Sequence, residues 1–208
     1  MRKRRHIIRG LLVGAPAVAR PSAAQSTPVR SHSAGLFVGL GLEGDGVSTH
    51  VAQSDLWTRE AGGGGGLVVG YGFTPRWSLY SELSDASIDQ DGGGKYTLRH
   101  VDVGARVHFR TGPSVVVPFA QLGFSGRQMI QHFPTFSGTG TTESRSHGID
   151  FGGGLNAHFT PAVAFSGSVT STIGTFEGYK INGQRVGGVF WNATSARLHL
   201  GMIWFPGA

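Results

Sequence analysis

Ten ionisable side chains stand out in a chain where only 14% of the 208 residues are charged. They are Glu43, Glu82, Asp102, Arg106, His108, Arg127, Asp150, His158, Arg197 and His199. Carboxylates beside imidazoles can move protons or hold a metal ion, and carboxylates beside guanidiniums can lock a structure through ion pairs. The spacing favours the last. His108, His158 and His199 lie on different segments with no ligand-type spacing, so they read as hydrogen-bonded structural histidines. There is no cysteine, which excludes thiolate metal sites and disulfides. The sequence assigns no catalytic set, no metal and no cofactor.

Other motifs resemble active sites only superficially. Gly39-Leu40-Gly41-Leu42-Glu43-Gly44 matches G-x-G-x-x-G, but no helical pattern follows to present amides to a phosphate. The run Gly62 to Gly66 reads as a flexible or bulged rim, and no G-x-S-x-G occurs. Asn192-Ala193-Thr194 fits a glycosylation sequon, which carries little weight if the source is bacterial.

The ten residues are positioned by eight segments of period-two alternation. The clearest is Val101 to Phe109, VDVGARVHF, whose odd positions are apolar and whose even positions are Asp102, Gly104, Arg106 and His108. Like it are LFVGLGLEG from Leu36, LVVGYGF from Leu67, WSLYSEL from Trp77 and VVPFAQLGF from Val116. GIDFGGGLNAHF from Gly148, VAFSGSVT from Val163 and ARLHLGMIW from Ala196 complete the set. Pro118 lies inside the fifth segment and cannot donate to a ladder, so a bulge is expected there. Short links with Pro or Gly (Thr74-Pro75-Arg76, Thr111-Gly112-Pro113-Ser114 and Thr160-Pro161-Ala162) alternate with long ones near 45–61, 85–96, 126–147 and 174–193. Antiparallel strands then carry all short turns at one end and all long loops at the other. The fold expected is all-β, an eight-stranded antiparallel up-and-down barrel.

The ends of the chain say where such a barrel works. Residues 1–24 have a basic start, an apolar stretch from Leu11 to Ala19 and the small-residue site Ser22-Ala23-Ala24, the layout of a cleaved export signal. Arg4-Arg5 within it also resembles a twin-arginine signal. A short segment, 25–34, precedes the barrel at 35–205, and 206–208 form a tail. The formal charge is +6, from 18 Lys and Arg against 12 Asp and Glu. Six of the basic residues lie in 1–24, so the mature chain balances twelve against twelve. No basic stripe remains, which excludes nucleic acid as a partner.

Apolar faces could point to a soluble core or to lipid. Four features favour lipid. The segments are long enough for a tilted crossing of the bilayer. Aromatics gather at the short-turn end: Phe73, Trp77, Phe109, Phe159, Phe165, Trp204 and Phe205. Glycines crowd the polar face, where a narrow lumen needs small residues beside long ones. The asymmetry of turns and loops is that of outer-membrane barrels. The reading is therefore a transmembrane barrel with the ten ionisable residues in its lumen. Counting from the short turns pairs Glu82 with Arg106, Glu43 with Arg197, and Arg127 with Asp150, as a plug of ion pairs.

On LFVGLGLEG, VVVPFAQLGF, the two Phe-Thr-Pro turns and the aromatic last strand, the chain resembles the small outer-membrane β-barrel family over about residues 35–205. It is similar to the barrel of outer membrane protein A. The resemblance implies an outer-membrane location, lipid as the surrounding partner and the barrel-assembly machinery as the partner in biogenesis. A monomer is expected, and because the sequence stops with the barrel, no peptidoglycan-binding domain like that of outer membrane protein A is expected. Members end on an aromatic residue, whereas here Pro206-Gly207-Ala208 follow Trp204-Phe205. Outer-membrane lipid A deacylases share the architecture but use a His-x-Ser-Asn motif, absent here. The function expected is non-enzymatic: envelope structure, or contact with a surface ligand through the long loops. Their apolar side chains are Met129, Ile130, Phe133 and Phe136, then Phe176, Tyr179, Phe190 and Trp191. The alternatives are a narrow channel gated by the lumen charges and, more remotely, a lipid-modifying enzyme. Mass spectrometry of the mature protein is expected to find Gln25 at its N-terminus; a retained basic segment would contradict the export reading.

Overall fold

The computed structural model describes residues 33–51, 56–90, 94–110, 114–136 and 138–207. The export segment, its cleavage site and the Thr111-Gly112-Pro113 part of one short turn lie outside the described residues. The chain forms β1 (Gly35–Val51), β2 (Leu56–Gly72), β3 (Trp77–Asp89), β4 (Lys95–His108), β5 (Val116–Thr135), β6 (Gly138–Thr160), β7 (Val163–Ile181) and β8 (Gln184–Trp204). Each strand pairs antiparallel with the next, and β8 closes on β1 from Val38↔Trp204 to His50↔Asn192. The sheet is thus an eight-stranded up-and-down barrel with no free edge.

Local chemistry accounts for the tight end. Thr74 Oγ1 accepts hydrogen bonds from the amides of Arg76 and Trp77 at 3.2 and 3.1 Å, so the Thr-Pro link closes on its own side chain. Pro118 makes no bulge: its register with β6 is regular, opposite Leu155. Its carbonyl accepts from the Phe109 amide, one residue beyond the end of β4. The missing N–H therefore falls where the β4–β5 ladder is already ending, and nothing is lost. Irregularities occur instead between Ser144 and Ser146 and between His158 and Thr160 on β6, and between Glu177 and Tyr179 on β7.

The connections read from sequence as long loops are mostly strand. β5 and β6 pair without a break to Thr135↔Gly138, and β7 and β8 pair to Ile181↔Gln184 with one register shift between Glu177 and Tyr179. The β7–β8 hairpin turns on Asn182 and Gly183, both with positive φ (48° and 82°), the geometry of a type I′ turn. The Asn182 amide donates to the Thr141 carbonyl, and its side-chain Oδ1 accepts from the Thr141 amide, tying this tip to β6.

The alternation continues through these hairpins with its polarity inverted. On β3 the inward and outward positions alternate strictly from Trp77 to Asp89. Near the short turns the outward residues are Trp77, Leu79 and Leu83, and the inward ones Ser78, Tyr80 and Glu82. Farther along, the outward residues are Asp85 and Asp89 and the inward ones Ala86 and Ile88. Outward Asp85 and Arg99 pair at 2.7 Å, and Asp89 and Lys95 at 3.0 Å. Lipid lies outside the first stretch and water outside the second, so the apolar side chains change faces while the pleat does not.

The lipid-facing band is bounded above by Leu42, Leu83, Val101, Phe124, Ile149, Ile173 and Leu198, all exposed on the barrel wall. At its lower edge stand Phe73, Trp77, Phe109, Phe159, Phe165 and Trp204, the interfacial aromatics expected at a headgroup boundary. Phe205 departs from that ring. It turns inward, is buried, and packs 5.9 Å from Phe37. Leu122 lies within the band and is 62% exposed. Leu122→Arg is expected to cost about 2–4 kcal/mol of stability in lipid vesicles. Urea titration of the reconstituted barrel measures this, and a loss below about 0.5 kcal/mol would argue against a lipid-facing site.

Candidate functional site

The candidate site is the lumen, which has three layers. At the short-turn end, Phe37, Val68, Tyr80, Ala164, Ile203 and Phe205 form a buried apolar floor. At the other end, Val47, Ala86, Ile88, Tyr96, Leu98, Phe176 and Ala193 form a roof, with Met129 and Trp191 packed against it. The charges lie between. Each layer follows from the pleat: every second residue points inward, and eight strands leave just enough room for those side chains.

Glycines make the room. A Cβ on Gly123 would come 2.7 Å from Asp150 Oδ1, and one on Gly104 would come 2.8 Å from the Tyr80 ring. One on Gly201 would stand 2.8 Å from His199 Nε2. These glycines are opposite or beside the largest polar side chains, which is why they crowd the inward face.

Of the three expected pairs, one forms. Arg106 Nη2 lies 3.6 Å from Glu82 Oε2. Arg106 Nε also donates to Gln121 Oε1 at 2.9 Å, and its guanidinium is sandwiched by the Tyr80 and Phe119 rings, 4.4 and 4.9 Å from their centroids. Arg197 reaches across the lumen instead of along the β1–β8 seam. It pairs with Asp102 and lies 3.6 Å from Glu82, while Glu43 faces His199 at 3.4 Å. Arg127 and Asp150 are not partners. Arg127 donates to Ser146 Oγ at 2.9 Å and to the Ala193 carbonyl at 3.1 Å, with its guanidinium over Phe176. Asp150 accepts from the Tyr80 hydroxyl at 2.7 Å. The cause is strand tilt: residues at equal count from the turns are not at equal height, and an arginine spans several residues.

His108 and His158 sit toward the floor. His108 Nε2 is 3.2 Å from Ser78 Oγ, and the His158 ring is 5.3 Å from that of Phe205. His199 faces the Glu43 carboxylate at 3.4 Å. Sequence reasoning missed the pair His100–Asp45, 3.2 Å apart and fully enclosed, because Asp45 falls in a stretch taken as loop. It also missed the roof. The available signals were the continued alternation Ala86, Ile88 and Leu98, and the dipeptide Asn182-Gly183.

Above the lipid band, the outer wall of β6, β7 and β8 carries a cleft of about 160 Å³ lined by Glu143, Arg145, His147, Tyr179, Lys180 and Arg185, among others. Glu143 accepts from Arg145 Nε and from Gln128 Nε2, both at 2.8 Å. The hydrogen bond from Arg145 is the main reason its carboxyl is held below the usual range.

An apolar belt facing out, a packed polar lumen and a closed ring of eight strands define an integral outer-membrane β-barrel. Residues 11–190 match the outer membrane protein beta-barrel domain, and the chain belongs to that family. No curated protein sequence matches it. Among solved structures, it is similar to Neisserial surface protein A (14% identity, TM-score 0.56, covering 83% of this chain and 97% of that one). It is also similar to OprG from Pseudomonas aeruginosa (12%, TM-score 0.53, 84% and 97%). The attachment invasion locus protein Ail of Yersinia pestis is a third such structure (14%, TM-score 0.51, 82% and 99%). At these identities the likeness is one of fold.

Arg197 compensates two buried carboxylates, so Arg197→Met is expected to cost about 3–5 kcal/mol in equilibrium unfolding from vesicles. Arg106→Met should cost less, since Arg197 still faces Glu82. The reverse order would mean that Arg106, not Arg197, is the centre of the network.

Proposed function

We propose that this protein is a non-enzymatic outer-membrane barrel that acts by surface contact through the hairpins above the membrane, with a lumen that serves structure alone. The observation that carries this is the closure of the lumen at both ends by apolar clusters. Hydrated ions or substrates would have to cross both, and packed apolar layers exclude them. What remains accessible is the outer surface, where the cleft on β6, β7 and β8 presents Arg145, Lys180 and Arg185 beside Glu143 and Glu177 around a shaped depression, with cations in excess. Two of the structural neighbours, a surface protein and an attachment protein, agree with this reading. Ail has also been solved with the heparin analogue sucrose octasulfate, an anionic saccharide of a kind that Lys180 and Arg185, the cations not paired with Glu143, would suit.

One observation favours a channel instead. Several enclosed polar atoms, including Asp102 Oδ1, Ser125 Oγ, Asp150 Oδ1 and Thr172 Oγ1, have no hydrogen-bond partner. Internal water would satisfy them and could form a thread through the barrel.

Two measurements separate the readings. In planar bilayers the wild-type barrel is expected to give no steady ohmic current; reproducible unit conductance would favour the channel. Cells displaying the protein are expected to bind an immobilised sulfated glycan. Replacing Arg145, Lys180 and Arg185 together by Ala should lower that binding several-fold, with folding checked by heat-modifiable gel mobility. Equal binding by the folded triple variant would remove the cleft from the proposal.

A further inference from the structure

We propose that Glu43, Glu82 and His199 form a binding site for one divalent first-row transition-metal cation in the middle of the barrel. The site is independent of the surface role argued above. The three side chains come from β1, β3 and β8, all are buried, and each offers a donor atom within 4.8 Å of the other two. Metal–ligand bonds of about 2.0–2.2 Å place donors around one ion roughly 3–4 Å apart, so closing on an ion needs side-chain adjustments on the order of 1 Å. Two carboxylates and an imidazole are a donor set suited to Zn²⁺, Mn²⁺ or Fe²⁺.

Three further observations point to a cation here. First, Glu43 is only 5% exposed and its Oε2 is enclosed without a hydrogen bond of ordinary length, with Ser84 and the Glu82 carboxyl as its near neighbours. An ionised carboxylate oxygen left without a full hydrogen bond in such a setting is costly. Second, the buried charges do not balance. Glu43, Asp45, Glu82, Asp102 and Asp150 face Arg106, Arg127 and Arg197, five carboxylates against three guanidiniums. One dication makes the lumen neutral. Third, the missing Cβ atoms at Gly41, Gly66 and Gly201 let the donor side chains lie directly against the backbone, so their positions are fixed. A Cβ on Gly66 would meet Glu43 Oε1 at 3.0 Å, and glycines at 41 and 201 both face the His199 ring.

Arg106 and Arg197, each 3.6 Å from Glu82, act in two directions. Their charge opposes the ion, and their position holds the Glu82 carboxylate in place, as outer partners of ligating carboxylates do. The attraction therefore comes from the surplus of carboxylates as a group. Because floor and roof close the lumen, the ion enters while the strands are still closing.

This order of events defines the test. The urea-unfolded full chain is refolded into detergent micelles with Zn²⁺ or with EDTA, passed over a chelating resin and analysed for metal by mass spectrometry. The wild type refolded with Zn²⁺ is expected to retain one ion per folded barrel. Protein folded in EDTA and exposed to Zn²⁺ afterwards should retain at least tenfold less. Folded His199→Gln and Glu43→Gln should each lose at least tenfold in retained metal, since losing a ligand costs no less than the roughly 10–100-fold that losing an outer partner costs. Refolding the wild type with Co²⁺ adds a readout that needs no variant: visible d–d absorption should appear as the heat-modifiable form appears. A wild type that keeps no metal and shows no Co²⁺ band, or variants that keep as much metal as the wild type, would overturn the site.

Discussion

Every feature of this barrel follows from one constraint: a closed pleated ring gives each residue one of two surroundings, and the ring cannot be re-registered locally. Side chains alternate strictly between lumen and exterior, as β3 shows from Trp77 to Asp89. The lumen stays narrow along its whole length because eight strands set the diameter. The exterior changes from lipid to water partway up. The sequence must answer that change by exchanging which face is apolar. Leu83 points out and Glu82 points in; a few residues later Asp85 points out and Ala86 points in. The inner charge layer and the apolar roof are thus one solution to one problem, written at two heights.

The charge layer is not the cheapest way to fill a lumen. Burying five carboxylates and three guanidiniums costs desolvation that well-packed apolar side chains would avoid. What charges add is discrimination. Arg197 satisfies Asp102 on β4 and Glu82 on β3 from the opposite wall. Sliding β8 by two residues preserves which face is inside but moves Arg197 by about 6.6 Å, beyond reach of both. Apolar contacts alone would tolerate such a slip better. The floor and roof strengthen this selectivity, since they keep water from screening the pairs.

The membrane-embedded half of the fold was legible in the sequence because there the period-two signal is at full contrast: Val101, Val103, Phe109 outward against Asp102, Arg106, His108 inward. The upper half carries the same period at inverted and lower contrast, with Thr, Ser and Gly on both faces, so strands such as β6 seemed to end near Gly148 when they run from Gly138. Asn182-Gly183 was the local sign that a hairpin, not a loop, lay there. Ion-pair partners were the least legible. Glu82–Arg106 could be found because adjacent strands bring them close, whereas Arg197–Asp102 crosses the lumen between strands that are not neighbours. Phe205 was misplaced although the alternation itself turns it inward, one position after outward Trp204, where it packs over the floor beside Phe37.

The inverted upper half also bears on what the outer surface can do. A loop that orders on binding loses affinity to conformational entropy, and a preformed surface does not. Here the hairpins carry their own core. Phe176 stacks on Trp191 at 5.4 Å and packs with Ile88, Tyr96 and Leu98, so the ribbons above the lipid are held from within. The bulges between Ser144 and Ser146 and between Glu177 and Tyr179 border the cleft on β6 and β7. Bulges re-aim side chains without ending the strand. A rigid ribbon with local re-aiming is a suitable base for a contact surface, because outward residues there, such as Arg145 and Lys180, can change without touching the roof. The lumen has no such freedom: each inward residue faces others across a space barely wider than the side chains themselves. The division between a fixed interior and a variable exterior is the same alternation that folds the barrel.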